Sequence, residues 1–134
     1  MNQYNNPQHT EHHEFTICQQ NPNKNLNAQL DLLHYLDPKD YDIIAMQEPW
    51  IDHLGHTRAG PRWEVQHHLD NPKKTRAALL INKKISTNTW IDIPTGSQDV
   101  SAVKFTKDQE DLYLFNIYND CNNSDSLTAL ETTL

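Results

Sequence analysis

"YDIIAMQEPW", residues 41–50, decides the architecture. Four apolar residues in a row, Ile43 to Met46, end abruptly in Gln47, Glu48, Pro49 and Trp50. A short continuous apolar run bounded by turn residues is the pattern of a strand covered on both faces. Upstream, "EFTICQQ" (14–20) alternates Phe15, Ile17 and Gln19 with Thr16, Cys18 and Gln20, which predicts another strand. "NPNKN" breaks the chain. "LNAQLDLLHYL" (26–36) then places Leu26, Leu30 and Leu33 on one helical stripe, closed by "DP" at 37–38. A strand, a helix and a second strand in that order make a crossover with parallel strands. Their carboxyl ends, Asn21 and Glu48, must therefore lie at the same edge. Ligands of open α/β sheets bind beyond those ends.

Downstream of Glu48, residues 49–62 carry Gly55 and Gly60 and have Pro at both ends, the composition of a long loop. "WEVQHH" (63–68) and "RAALLINKKI" (76–85) read as strands joined by a "DNPKK" turn, and "TWIDI" (89–93) as a short strand. "VSAVKFT" (100–106) and "LYLFNIYN" (112–119) predict an antiparallel hairpin around "KDQED". A last helix is expected to start at Ser124 as N-cap and run to the final residue. The sequence holds no internal repeat.

The chain has 134 residues, enough for one domain with one core, and only 36% of them are apolar. The opening "MNQYNNPQHTEHH" has no hydrophobic period and predicts a disordered tail over 1–13, leaving 14–134 as the folded unit. A net charge of −7 offers no bulk field for a polyanion, so any nucleic-acid contact must be local and metal-assisted. Cys18 and Cys121 are expected as free thiols of an intracellular protein, in nucleus or cytoplasm, because no apolar leader precedes them. No run approaches the ~20 apolar residues that span a membrane. The histidines form H-x-x-H at His53 and His56, a cluster at His9, His12 and His13, and a pair at His67 and His68. Zinc prefers thiolates or two His one helical turn apart, so these are read as solvated.

Three strand ends remain: "CQQN" after the first strand, "IIAMQEPW" after the second, "LYLFNIYND" after the last. In this order, with an "RAA" strand at 76–78, they resemble the endonuclease/exonuclease/phosphatase superfamily, the group of deoxyribonuclease I. The likeness is greatest to the endonuclease domain of non-LTR (LINE-type) retrotransposons and covers residues 14–134. It implies an α/β (α+β) fold, the amino-terminal half of a four-layer α/β sandwich with a mixed β-sheet and flanking helices. It also implies a role for each residue that matches a motif. Glu48 takes the place of the metal-binding glutamate, and Asn21 that of the asparagine organising metal and scissile phosphate. Tyr118 takes that of the phosphate-contacting tyrosine, and Asn119 a DNA-facing position. Cys121 departs from the family, which often has Asn there, and so does Asn23, where some relatives carry an acid.

The chemistry explains the residue types. Phosphodiester hydrolysis builds charge on oxygens that are already anionic, and a divalent cation offsets it. Mg²⁺, or Mn²⁺ in its place, keeps most of its waters, so one or two carboxylates hold it. Without a metal, Glu48 is a strand-end carboxylate in solvent or a partner of Arg58, Arg62 or Arg76. Lys73, Lys74, Arg76, Lys83 and Lys84 are either phosphate contacts or a solvated strand face. The 134 residues contain neither the family's "GDFN"-like motif nor its "SDH"-like motif, since "NSDS" (123–126) ends in Ser and falls too early. The resemblance therefore implies half of a metal-dependent DNA endonuclease domain, inactive alone and prone to pair with a carboxyl-terminal half or with itself through a bare sheet face. The competing expectation is a scaffold without catalysis that acts only by binding.

Overall fold

The computed structural model describes residues 15–67 and 72–119. The expected tail, the final helix, His68 and Cys121 lie outside them. Two sheets are present. The first is mixed and four-stranded, in the order β1 (Ile17–Gln20), β2 (Ile43–Gln47), β4 (Ala77–Asn82), β3 (Trp63–His67). β1 and β2 pair in parallel through the helix α1 (Leu26–Tyr35), as the crossover requires, and the other pairs are antiparallel. The second sheet is antiparallel, in the order β5 (Trp90–Asp92), β6 (Val100–Lys107), β7 (Glu110–Ile117).

β2 and β4 form the middle of the molecule. All six residues of β4 are buried, and so are the first four of β2. Their register puts Ile43 opposite Ile81 and Ala45 opposite Leu79 on one face, with Ile44 opposite Leu80 on the other. The first face meets Val103, Phe105 and Leu114 of the second sheet, joined by Phe15, whose ring lies 4.6 Å from that of Phe105. The second face, with Met46, Trp63 and Ala59, is covered by Leu32, Leu33 and Leu36 of the helix and its cap. The described residues thus stack as helix, mixed sheet and antiparallel sheet.

The helix has 10 residues, too short to be stable unaided. Asn25 caps it by accepting from the Ala28 N–H at 2.9 Å. Its buried stripe is turned from the one expected. Leu30 is 39% exposed, whereas Gln29 is fully buried. The Gln29 side chain explains the rotation: it donates to Thr57 Oγ1 and the Arg58 carbonyl and accepts from the Trp50 N–H. The helix therefore faces the 50–58 loop with a polar clamp, and Leu32, Leu33 and Leu36 supply the apolar contact. Within that loop, Gly55 packs so closely on Pro72 that a Cβ would meet it at 2.9 Å, and its φ of +89° suits glycine.

The hairpin is tighter than "KDQED" suggested. β6 and β7 continue to the Lys107–Glu110 pair, leaving only Asp108 and Gln109 as loop, with φ of 52° and 67°. Two left-handed residues are what a two-residue turn needs to match strand twist. Ile17 is 42% exposed on β1, an edge strand, while Cys18 of the same strand packs against the helix-side core. Among the described residues, no helix is long and apolar enough to cross a membrane.

Candidate functional site

The first β1–α1 loop is built from short polar residues. Asn21 Oδ1 accepts from the Asn23 N–H at 2.8 Å, and Asn23 and Lys24 both adopt left-handed backbone, φ 55° and 58°. That turn brings the Lys24 N–H onto the Glu48 carbonyl at 2.8 Å. The Asn21 Nδ2 group points the same way and donates to Glu48 Oε1 at 3.3 Å. Asn21 is thus both a turn residue and a side-chain partner of Glu48.

Glu48 itself has φ +50°. A left-handed residue with a Cβ costs about 1–2 kcal/mol, and Glu has no side chain suited to offset it. The conformation turns the chain out of the strand just after Gln47, before the buried Pro49. It is held from the other side by the Glu48 N–H donating to the Arg76 carbonyl at 2.8 Å. The series continues: the Arg76 N–H donates to the Gln98 carbonyl and the Tyr118 N–H to the Asp99 carbonyl, each at 2.8 Å. A line of main-chain bonds therefore joins the 21–24 loop, Glu48, Arg76, Asp99 and Tyr118 along one rim.

Electrostatics divide that rim. Arg76 forms a two-pronged pair with Asp99, Nε to Oδ1 at 2.6 Å and a terminal nitrogen to Oδ2 at 2.8 Å, and the Asp99 side chain is only 3% exposed. The Arg76 guanidinium also lies 5.0 Å from the centre of the Tyr118 ring, within cation–π range. Arg58 stands 5.9 Å over the Trp50 ring. None of these cations pairs with Glu48. Among the described residues the Glu48 carboxylate is half-buried and has the Asn21 amide as its side-chain hydrogen-bond partner. Asn119 follows Tyr118 and is exposed.

The remaining candidates separate. Lys73 and Lys74 sit in a single 3-10 turn before Arg76, at the rim. Lys83 and Lys84 follow the other end of β4, roughly 20 Å away at 3.3 Å per residue. Lys84 pairs there with Asp42 at 3.4 Å. His53 and His56 are exposed in a loop ordered by Asp52, whose Oδ1 accepts from the Leu54 and His56 N–H groups. The His56 N–H bond, chiefly, holds the Asp52 carboxyl below its ordinary value against an opposing desolvation, helped by the Leu54 N–H and the nearby imidazoles of His56 and His53.

No three His, Cys, Asp or Glu side chains gather to cage a metal among the described residues. The donor set at Glu48 is one carboxylate with an amide beside it, both hard. That suits a Mg²⁺-type ion that keeps its waters, and it does not suit zinc.

Three partners at the rim escape a motif-based reading: Asp99, Gln47 and Asn116. Asn116 had a signal, since it shares strand parity with Leu112 and Leu114 and so puts an amide on an inward face. Asp99 had none, because only folding brings the 95–99 loop to Arg76.

No protein-family model and no curated protein matches the sequence. Among solved structures, the chain is similar to the endonuclease domain of TRAS1, a telomere-specific non-LTR retrotransposon, with a TM-score of 0.70 and 15% identity. The match takes in 90% of this chain and 54% of that one. The fold is that of a retrotransposon endonuclease domain. At this identity the likeness is one of fold, and the chain spans about half the length of the domain it matches.

Proposed function

We propose that this chain carries the metal- and phosphate-holding part of a DNA-nicking site of the retrotransposon endonuclease kind. The observation that carries the reading is Glu48. It is a half-buried carboxylate on unfavourable left-handed backbone, with an orienting amide beside it and no cation paired to it among the described residues. Strain of this kind gathers at functional positions. A purely structural acid at a strand end would take Arg76, which immediately precedes the neighbouring strand β4, yet Arg76 is engaged by Asp99. In the proposed site Glu48 holds a hydrated Mg²⁺ or Mn²⁺ ion, and Asn21 fixes the carboxylate's direction. The Tyr118 hydroxyl donates to a phosphate oxygen, and Asn119 faces the DNA strand beyond it. The ion would supply Lewis-acid stabilisation of charge on the phosphate.

Hydrolysis also needs a group to take a proton from water and one to stabilise the leaving oxygen, and losing either costs orders of magnitude. Asn21, Glu48 and Tyr118 supply neither. These 134 residues are therefore expected to bind a divalent ion weakly, roughly in the millimolar range, and not to nick DNA. Calorimetric titration with Mn²⁺ tests the first point: Glu48→Gln abolishes the binding, and binding of unchanged strength would move the metal elsewhere. Relaxation of supercoiled plasmid tests the second. Robust Mg²⁺-dependent nicking that Glu48→Ala removes would show that a base has been overlooked, with His53 and His56 first in line.

A further inference from the structure

Beneath the rim runs a row of side-chain amides that the proposed chemistry leaves unused. Gln19 Nε2 donates to Gln47 Oε1 at 2.9 Å, and Gln47 Nε2 donates to Asn116 Oδ1 at 2.8 Å. Asn116 Nδ2 then donates to two main-chain carbonyls, Met46 and Ala78, each at 2.9 Å. Asn116 is 3% exposed, and both its N–H groups and its oxygen are engaged. A buried amide whose two N–H groups and oxygen are all engaged has one orientation, and amides bonded in series polarise and strengthen one another.

The placement of this pin is specific. Met46 and Ala78 are Cα partners in the β2–β4 ladder, so an amide from the second sheet is inserted at a rung of the first. Just outside each of the three strands it joins stands a rim residue two positions away: Glu48 beyond Met46, Arg76 before Ala78, Tyr118 beyond Asn116. Elsewhere the sheets meet through Ile43, Ala45, Leu79, Ile81, Val103 and Phe105. Such apolar contact is non-directional and constrains depth and rotation through shape alone. Hydrogen bonds weaken steeply with angle, and this cluster sets both.

We infer that Asn116, held by Gln47, is a positioning residue. It sets the depth and register at which Tyr118 of the second sheet stands beside Glu48 of the first. The inference deepens the proposed function and rests on it for the role of Glu48. The pin itself has a readout that needs no metal.

The experiment uses the full chain with 3-fluorotyrosine incorporated, the Tyr118 resonance being assigned by Tyr118→Phe. In the metal-free protein that resonance reports the ring's packing against Arg76. Gln47→Met and Asn116→Leu are expected to shift it, while Ile81→Val, a remote core change, leaves it in place. Added Mn²⁺ is then expected to broaden the Tyr118 resonance in a Glu48-dependent way. At equal occupancy the broadening is expected to fall in Gln47→Met, because it depends steeply on distance and a working site tolerates only about 0.5 Å of displacement. An unmoved metal-free resonance in Gln47→Met and Asn116→Leu overturns the positioning role, and so does an equal shift in Ile81→Val. Gln47→Met removes a single bond near the rim, so it carries the comparison if Asn116→Leu does not fold. Absence of Glu48-dependent broadening in wild type overturns the metal reading instead, and the metal-free comparison still decides the pin.

Discussion

The first four residues of β2 and its carboxyl end, Gln47 with the following Glu48, obey different rules. Ile43, Ile44, Ala45 and Met46 are buried on both faces of the sheet and are held by shape and area. Gln47 and Glu48, immediately beyond, are only half-buried and are held by directional bonds to Asn116, Gln19, Asn21 and Arg76. In the middle, any apolar side chain of the right volume serves. At the end, the residue type matters and the backbone is unfavourable. Stability and chemistry therefore occupy adjacent positions of one strand, which makes them separable by mutation.

The largest effect belongs to the middle. Ile81→Ala, between the two sheets, is expected to destabilise the fold by about 3–4 kcal/mol, since Ile81 is fully buried among side chains of both sheets. Chemical denaturation measures it, and a loss below about 1 kcal/mol would mean that the sheets close over the gap. Arg76→Gln comes next. It takes from the almost wholly buried Asp99 its two-pronged guanidinium partner, for a cost of about 3 kcal/mol. Asp99→Asn in the same background should recover part of that loss, and no recovery would assign the effect to Tyr118.

Glu48→Gly sharpens the comparison because its sign is opposite. Removing the Cβ from a left-handed residue is expected to stabilise by about 1 kcal/mol, raising Tm by roughly 4 °C, while Mn²⁺ binding is lost. A fall in Tm would show that the carboxylate itself supports the fold through Asn21. The smallest effect concerns acid. The Asp52 carboxyl, held mainly by the His56 N–H, has a folded pKa below its ordinary 3.8. Its contribution to loop order is therefore complete above that value and disappears as pH falls through the lowered folded one. The His56 amide resonance should titrate there, and Asp52→Asn should flatten it.

Much of this architecture was legible in the sequence. The apolar run at 43–46 and the strand–helix–strand order fixed a parallel pair, and the rim position of Asn21 and Glu48 followed. The partition into two sheets was not legible, because "VSAVKFT" and "RAALLINKKI" are equally apolar and nothing local says which strands share a ladder. The helix stripe expected at Leu26, Leu30 and Leu33 is turned because Gln29 is buried, its side-chain hydrogen bonds all supplied by the 50–58 loop, which helical spacing alone does not reveal. At the rim, the placement of side chains close to their own strand end was legible, as with Asn21 beside Glu48. Asp99, which arrives from a loop beyond two further strands, was not.

The left-handed backbone at position 48 also bears on how such a chain changes over generations. Codons for Glu and Gly differ by one base, and here that exchange relieves strain while it erases the acid. Most random substitutions lower stability and are removed for that reason, but this one escapes that filter. A lineage that no longer needs the charge will drift to Gly, or to Asn, which tolerates the same conformation. A glutamate kept at this position across a set of related copies would be a signature of selection on the chemistry alone.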